Sequence, residues 1–118
     1  MQQKLIIDTD PGIDDAMAIH YAFAHPDLEV LGLTTIFGNV FVPQATRNAL
    51  LLSEQAHYCV DVAEGAAQPL VQSLNPPSHH VHGTEGLVMF RSSSPMACRL
   101  RLTQLIILLR NVGIIVVR

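Results

Sequence analysis

The sequence predicts an α/β domain built on a parallel sheet, on three observations. Short apolar runs recur at Lys4–Asp8, Leu28–Thr35 and Val60–Ala63, the pattern of strands buried within a sheet. Segments of helical length, from about Asp15 to Ala24 and from about Pro43 to Gln55, separate them. Strand, helix, strand, helix, strand is the order in which a parallel sheet and its crossover helices are strung.

Taken along the chain, Lys4–Asp8 is an apolar run that ends in an acid, and Pro11-Gly12 breaks it. Asp14 has the chemistry of an N-cap for the first helix, along which Ala16, Ile19, Tyr21 and Phe23 are expected to face a core, with Met17. Pro26-Asp27 makes the turn into the second strand, and Gly38-Asn39 makes the turn out of it. Pro43 suits the first turn of the second helix. The third strand is followed by a loop around Gly65 and Pro69, and Asn75–Gly83, with Pro76, Pro77 and three histidines, reads as a mobile surface loop. No internal repeat is visible.

With 118 residues, 49% of them hydrophobic, the chain suffices for one modest domain, although aromatics supply only 5% and there is no Trp. A domain of this size leaves much of its surface in water and is marginally stable. A net charge of -3 favours neither nucleic acid nor an anionic membrane as partner. That average conceals an asymmetry: all ten acids lie between Asp8 and Glu85 beside only Lys4 and Arg47, whereas from Val88 onward five arginines stand without a single acid. Such a split marks a separate tail or a stretch of different origin. Cys59 and Cys98 have no metal or redox spacing, and no signal-peptide pattern opens the chain. They are expected to be reduced thiols of a cytoplasmic protein, with Cys59 in the core.

The chemistry is concentrated in Asp8-Thr9-Asp10-Pro11-Gly12-Ile13-Asp14-Asp15, where four carboxylates fall within eight residues as a strand ends and a helix begins. Ligands of open α/β sheets bind outside the carboxyl ends of the strands. Like charges this close repel unless a cation joins them, and an all-oxygen set suits calcium or magnesium better than zinc. A helix dipole alone would account for Asp14 and Asp15, but not for Asp8 and Asp10 ahead of the Pro-Gly turn.

The same residues, continued by Ala16, resemble the opening motif of the inosine-uridine-preferring nucleoside hydrolases. The resemblance goes on through Thr34-Thr35, Gly38-Asn39, Ala63-Glu64-Gly65 to Pro69-Leu70, and His82-Gly83-Thr84-Glu85-Gly86-Leu87, so that it covers residues 4 to 87 in order. It implies a Rossmann-like parallel sheet with flanking helices, the N-terminal part of that family's fold. It also implies hydrolysis of a ribonucleoside to ribose and free base with a calcium-bound water. By the same resemblance Asp10 is a calcium ligand and the general base, Asp15 a second ligand and Asp8 a supporting acid at the metal. Asp14 and Asn39 are implied to hold the ribose hydroxyls, and His82 to take part in substrate binding. His20 and His25 lack a partner at ligand spacing and are read as structural or surface residues, and His79 and His80 as having no specific role. Such relatives commonly assemble as dimers or tetramers.

This chemistry is coherent. Cleaving a ribosyl C–N bond passes through an oxocarbenium-like state, which needs negative charge beside the sugar and an activated water. A carboxylate next to a metal-bound water can take its proton.

Past Leu87 the family pattern of Gly, Asp or Asn, then Val gives way to Val88-Met89-Phe90-Arg91-Ser92. Residues 1–87 are therefore expected to be the N-terminal part of the hydrolase domain and 88–118 a divergent basic and apolar tail. Codons for Leu87–Phe90 and for Leu102–Leu109, read one nucleotide earlier, permit the family's text, so a frameshift near codon 87 or 88 is the expected origin of the tail. Its apolar runs, Leu105–Leu109 and Ile114–Val117, are too short to span a bilayer, leaving an interfacial helix or a dimerisation strand as its options. With family residues missing, this chain is expected to be inactive by itself. Two other classes stand against the hydrolase. A non-catalytic remnant or interaction module would bind metal without turnover. A haloacid-dehalogenase-like phosphatase also ends a strand in Asp-x-Asp, but Gly12 and Ile13 stand where that motif wants Thr or Val, and phosphatases lack the Asp14-Asp15 pair.

Overall fold

A computed structural model describes residues 1–77, 79–87 and the backbone of 115–117. The expectations for Cys98, for a frameshift and for the apolar run at Leu105–Leu109 lie outside these residues. In chain order the elements are β1 (Gln3–Thr9), α1 (Ile13–Ala24), β2 (Leu28–Thr35), α2 (Val42–Gln55), β3 (Asp61–Glu64), a short α3 (His79–His82) and β4 (Ile115–Val117). The four strands form one sheet in the order β3-β2-β1-β4, and every pairing is parallel. The predicted α/β parallel sheet is thus the observed one.

Both crossovers, β1-α1-β2 and β2-α2-β3, step the same way along the sheet. With the right-handed crossover that parallel strands adopt, α1 and α2 must share one face. They do, meeting over Ala16, Ile19, Leu51 and Leu52 with Leu87 beside them. Strand alternation then sorts the sheet residues into rows. Ile7, Leu33 and Val62 are in register and pack with Ala22 and Ala49 on the helix face. One residue on, Asp8, Thr34 and Ala63 belong to the opposite face. The next helix-side row, Thr9, Thr35 and Glu64, is wholly polar, so the core changes character at the carboxyl ends of the strands.

α1 begins at Ile13 with Gly12 as its N-cap, which corrects the expectation that Asp14 caps it. The cap is completed from inside: Asp15, third in the helix, accepts the Gly12 N–H at 3.2 Å, leaving Asp14 exposed in the first turn. The buried face of α1 is Ala16, Ile19 and Ala22, with Phe23 half-buried against it. Tyr21 and Met17 point outward at 65% and 70% exposure, against expectation. Beyond Asp15 the helix has no charged residue to mark a polar side, so its sequence does not reveal the phase. His25 has a structural place, accepting the Asp27 N–H with Nδ1 at 3.2 Å and lying 5.4 Å from the Tyr21 ring.

α2 ends in a paired motif: Tyr58 N–H reaches the Ser53 carbonyl and His57 N–H the Glu54 carbonyl, each at 3.0 Å. This turn needs a left-handed residue, and His57 supplies it at φ 52°. It also swings Cys59 outward between Tyr58 and the buried Val60, so Cys59 is exposed rather than in the core. A left-handed non-glycine costs about 1 kcal/mol. His57→Gly is therefore expected to raise the urea midpoint by the equivalent of roughly 0.5–1 kcal/mol with an unchanged m-value. An unchanged or lower midpoint would mean the turn carries no such cost.

No helix among the described residues is long and apolar enough to cross a membrane.

Candidate active site

The carboxyl ends of β1 and β2 lead into the loops 10–12 and 36–41, and these loops meet. Asp10 follows β1 directly. Its Oδ2 accepts the Asn39 N–H at 2.6 Å, while Asn39 Nδ2 donates to the Asp10 carbonyl at 3.2 Å and to Asp15 Oδ2 at 3.3 Å. Asp15 is further fixed by the Thr9 hydroxyl, which donates to its Oδ1 at 3.1 Å. One asparagine thus holds two acidic residues, from the end of β1 and the first turn of α1. The contact is close enough that a Cβ on Gly38 would overlap the Asp10 carboxylate.

Burial raises the proton affinity of Asp10 above that of an ordinary carboxylate, the negative charge of Asp15 adding to it and the Asn39 N–H opposing it. Two oxygen donors that repel each other are what a hard divalent cation would relieve, and in this respect Asp10 and Asp15 fit calcium. Among the described residues, no three His, Cys, Asp or Glu side chains gather into a group that could hold a metal ion.

Asp8 lies on the other face of the sheet from Thr9, and its Oδ1 accepts the Thr34 hydroxyl at 2.6 Å across to β2. Asp14 stands exposed beside Asp15. His82 departs from the expected surface loop: Asn75–Gly83 contains α3, and His82 at its end is only 8% exposed. Its Nδ1 accepts the Ile13 N–H at 3.3 Å, which puts the ring proton on Nε2. A Cβ on Gly12 would come within 2.6 Å of that Nδ1 and 3.0 Å of Asn39 Nδ2, so glycine lets Asn39 and His82 close in on the same turn. His80 is exposed.

Asn48 escaped the sequence reading. It is 1% exposed within α2, and Nδ2 donates to the Pro11 carbonyl at 3.1 Å and to the Glu85 carbonyl at 2.7 Å. Its signal was a lone amide among Ala45, Ala49, Leu51 and Leu52 on the helix stripe, where an aliphatic residue would be expected. Thr46, also buried, donates toward Glu64 Oε2 at 3.0 Å and lies 2.7 Å from the Thr35 hydroxyl.

The family model described as inosine-uridine preferring nucleoside hydrolase matches residues 5–109. Uridine nucleosidase 1 of Arabidopsis thaliana is 59% identical over 86 residues, which are 72% of this chain and 26% of the plant protein. The inosine-uridine preferring nucleoside hydrolase of Leishmania major is 43% identical over 88 residues, 74% of this chain and 28% of that protein. Among solved structures, the purine-preferring ribonucleoside hydrolase from Gardnerella vaginalis superposes with a TM-score of 0.74 at 32% identity, covering 85% of this chain and 33% of its own. A plant nucleoside hydrolase gives 0.69 at 42% identity with the same coverage. The chain spans about a quarter of the length of the curated relatives it matches.

Proposed function

Because the chain belongs to the inosine-uridine preferring nucleoside hydrolase family, we propose that it carries the first part of a nucleoside N-ribohydrolase site, which splits a ribonucleoside with water into ribose and free base. The observation that carries this reading is the Asp10–Asn39–Asp15 cluster at the carboxyl end of β1. Asp10 and Asp15 would hold a calcium ion, with Asp8 as the supporting acid behind them. Bound there, calcium would lower the pKa of a water and fix the ribose hydroxyls.

The chain's own groups have the remaining roles. Asp10 keeps Oδ2 on the Asn39 N–H and has Oδ1 with which to take a proton from the attacking water. Asp14 and Asn39 would take the ribose hydroxyls, and His82 would present its Nε2 proton toward the substrate. Calcium takes about six to eight oxygens, and the described residues bring two carboxylates together. The 118-residue chain by itself is therefore expected to bind calcium weakly and not to turn over. Residues 1–87 are the hydrolase unit in this reading and 88–118 a tail of separate origin. The pairwise matches extend over 86 and 88 residues, and the family match runs on to residue 109. The cytoplasm is its compartment in the same reading, and a second copy its most natural protein partner.

Titration of the ¹⁵N-labelled chain with Ca²⁺, then with inosine or uridine, tests the proposal without relying on turnover. The amides of Asp10, Ile13, Asp15 and Asn39 are expected to shift with an apparent Kd of about 10⁻⁴–10⁻³ M. A set of amides elsewhere, or none, would refute the site. Submicromolar affinity with release of ribose would overturn the view that the site here is partial.

A further inference from the structure

Between the turn that carries Asp10 and the turn that delivers His82 stands one buried side chain, Asn48. We propose that Asn48 is a positioning residue: its amide clamps the two turns together and so sets where the His82 imidazole meets the start of α1. The functional meaning rests on the hydrolase reading, but the clamp itself does not.

Three observations support it. First, both protons of the Asn48 amide go to main-chain carbonyls of different loops, Pro11 at 3.1 Å and Glu85 at 2.7 Å, which are otherwise far apart in sequence. Its Oδ1 accepts the Gln44 amide at 2.8 Å, one helical turn away. Every polar atom is therefore used, and a rotamer change would take the Asn48 donor from the buried Pro11 carbonyl and leave the Glu85 carbonyl only the longer bond from Gln44 Nε2 at 3.4 Å. Second, the closure is tight. Gly86 is left-handed at φ +79°, and a Cβ there would sit 2.7 Å from Val40 Cγ1, 3.0 Å from Asn48 Nδ2 and 3.1 Å from the Pro11 carbonyl. The second turn comes as near as a glycine backbone allows. Third, His82 lies three residues before Glu85 and reaches Ile13, two residues after Pro11. The Asn48 bridge and the His82–Ile13 bond connect the same two segments, so loosening one frees the other.

Nothing in this arrangement places Asn48 against a substrate. It acts through His82, whose Nδ1 is held as an acceptor and whose Nε2 is thereby the protonated nitrogen. Without the clamp the segment 83–87 is tied to the Pro11 turn by fewer bonds, and the imidazole loses its fixed tautomer.

Asn48→Leu tests this, since leucine nearly matches the volume while removing both donors. The readouts are the His82 imidazole ¹⁵N shifts and the hydrogen-exchange protection of the Ile13 amide. In the folded variant, the Nδ1-acceptor signature of His82 is expected to average toward that of a free imidazole. Ile13 protection should fall roughly tenfold, the equilibrium equivalent of one hydrogen bond, with Leu33 on β2 far less affected. Thr46→Val is the control for mere destabilisation: it alters a buried hydroxyl of the same helix that bonds to Glu64 instead. It should lower stability and leave the His82 signature alone. A folded Asn48→Leu chain with an unchanged His82 spectrum would overturn the proposal. So would a Thr46→Val chain that shifts His82 equally.

If Asn48→Leu does not fold, the unsubstituted chain decides. The two Asn48 side-chain protons must show separate nuclear Overhauser contacts, one set to the Pro11 turn and one to Glu85 and Gly86. Contacts to one turn only would refute a clamp. None of these readouts involves turnover, so the clamp and the hydrolase reading can fail independently.

Discussion

Asp10→Asn is expected to weaken Ca²⁺ binding by at least about tenfold, since even groups that only support metal ligands change affinity by that factor. The same substitution is expected to stabilise the metal-free fold. Burial raises the affinity of Asp10 for its proton, with the Asp15 charge contributing. A carboxyl whose folded pKa lies above its unfolded value binds more protons when folded. Stability then falls as pH rises from the ordinary carboxylate range through the folded pKa, and the penalty persists at neutral pH. The amide that replaces the Asp10 carboxylate can still accept the Asn39 N–H through its oxygen, but it carries no charge to bury or to repel Asp15. In EDTA at pH 7, Tm should therefore rise. Below the carboxylate range the two chains should converge, because Asp10 is then neutral too. A lower Tm for Asp10→Asn at pH 7 would show that the charge is satisfied in the folded chain, and unaltered Ca²⁺ affinity would remove Asp10 from the metal site.

Leu33→Ala is expected to have the largest effect on folding. Leu33 is fully buried at the centre of β2, in register with Ile7 on one side and Val62 on the other, beneath Ala22 and Ala49. Small residues above it cannot collapse into the space, so the loss should lie around 3 kcal/mol, within the usual range for buried leucines. For a domain of this size that corresponds to roughly 10–15 °C in Tm. Because Thr34 and Thr35 follow it directly, the hydroxyl contacts to Asp8 and Thr46 should weaken together, visible as parallel loss of exchange protection along β2. A drop below about 1 kcal/mol would mean that this row is not the centre of the core.

Much of this architecture was legible because its signals are local. Apolar runs bounded by Pro11-Gly12 and Pro26-Asp27 located β1 and β2 within a residue or two, and the bounds of β2 agree at both ends. Asp10, Asp15 and Asn39 stand out in the sequence, and the fold does bring them together. What failed depended on contacts that sequence spacing does not encode. Asp14 has cap chemistry, but Asp15 reaches back to Gly12 and moves the helix start. α1 beyond its first turn carries no charge, so nothing in it told Met17 and Tyr21 apart from Ile19. His82 is set apart from its neighbouring histidines by resemblance alone, and its burial against α1 does not show in the sequence because the amide it bonds lies 69 residues earlier. A single amide in an apolar stripe, as at Asn48, reveals a bridge only when both of its ends are known.

The bond separations within the site also imply an order in time. Asn39 reaches Asp10 and Asp15 over 29 and 24 residues, within a stretch that ends just after the first βαβ unit. His82 and the Asn48–Glu85 bridge close over 69 and 37 residues, and both need the segment after β3. Shorter closures cost less entropy. On a chain made from its N-terminus at about 5–20 residues per second, residues through Asn39 exist a few seconds before His82 does. The residues that join the two carboxylates are thus made first, and the histidine that bonds the same turn is made last.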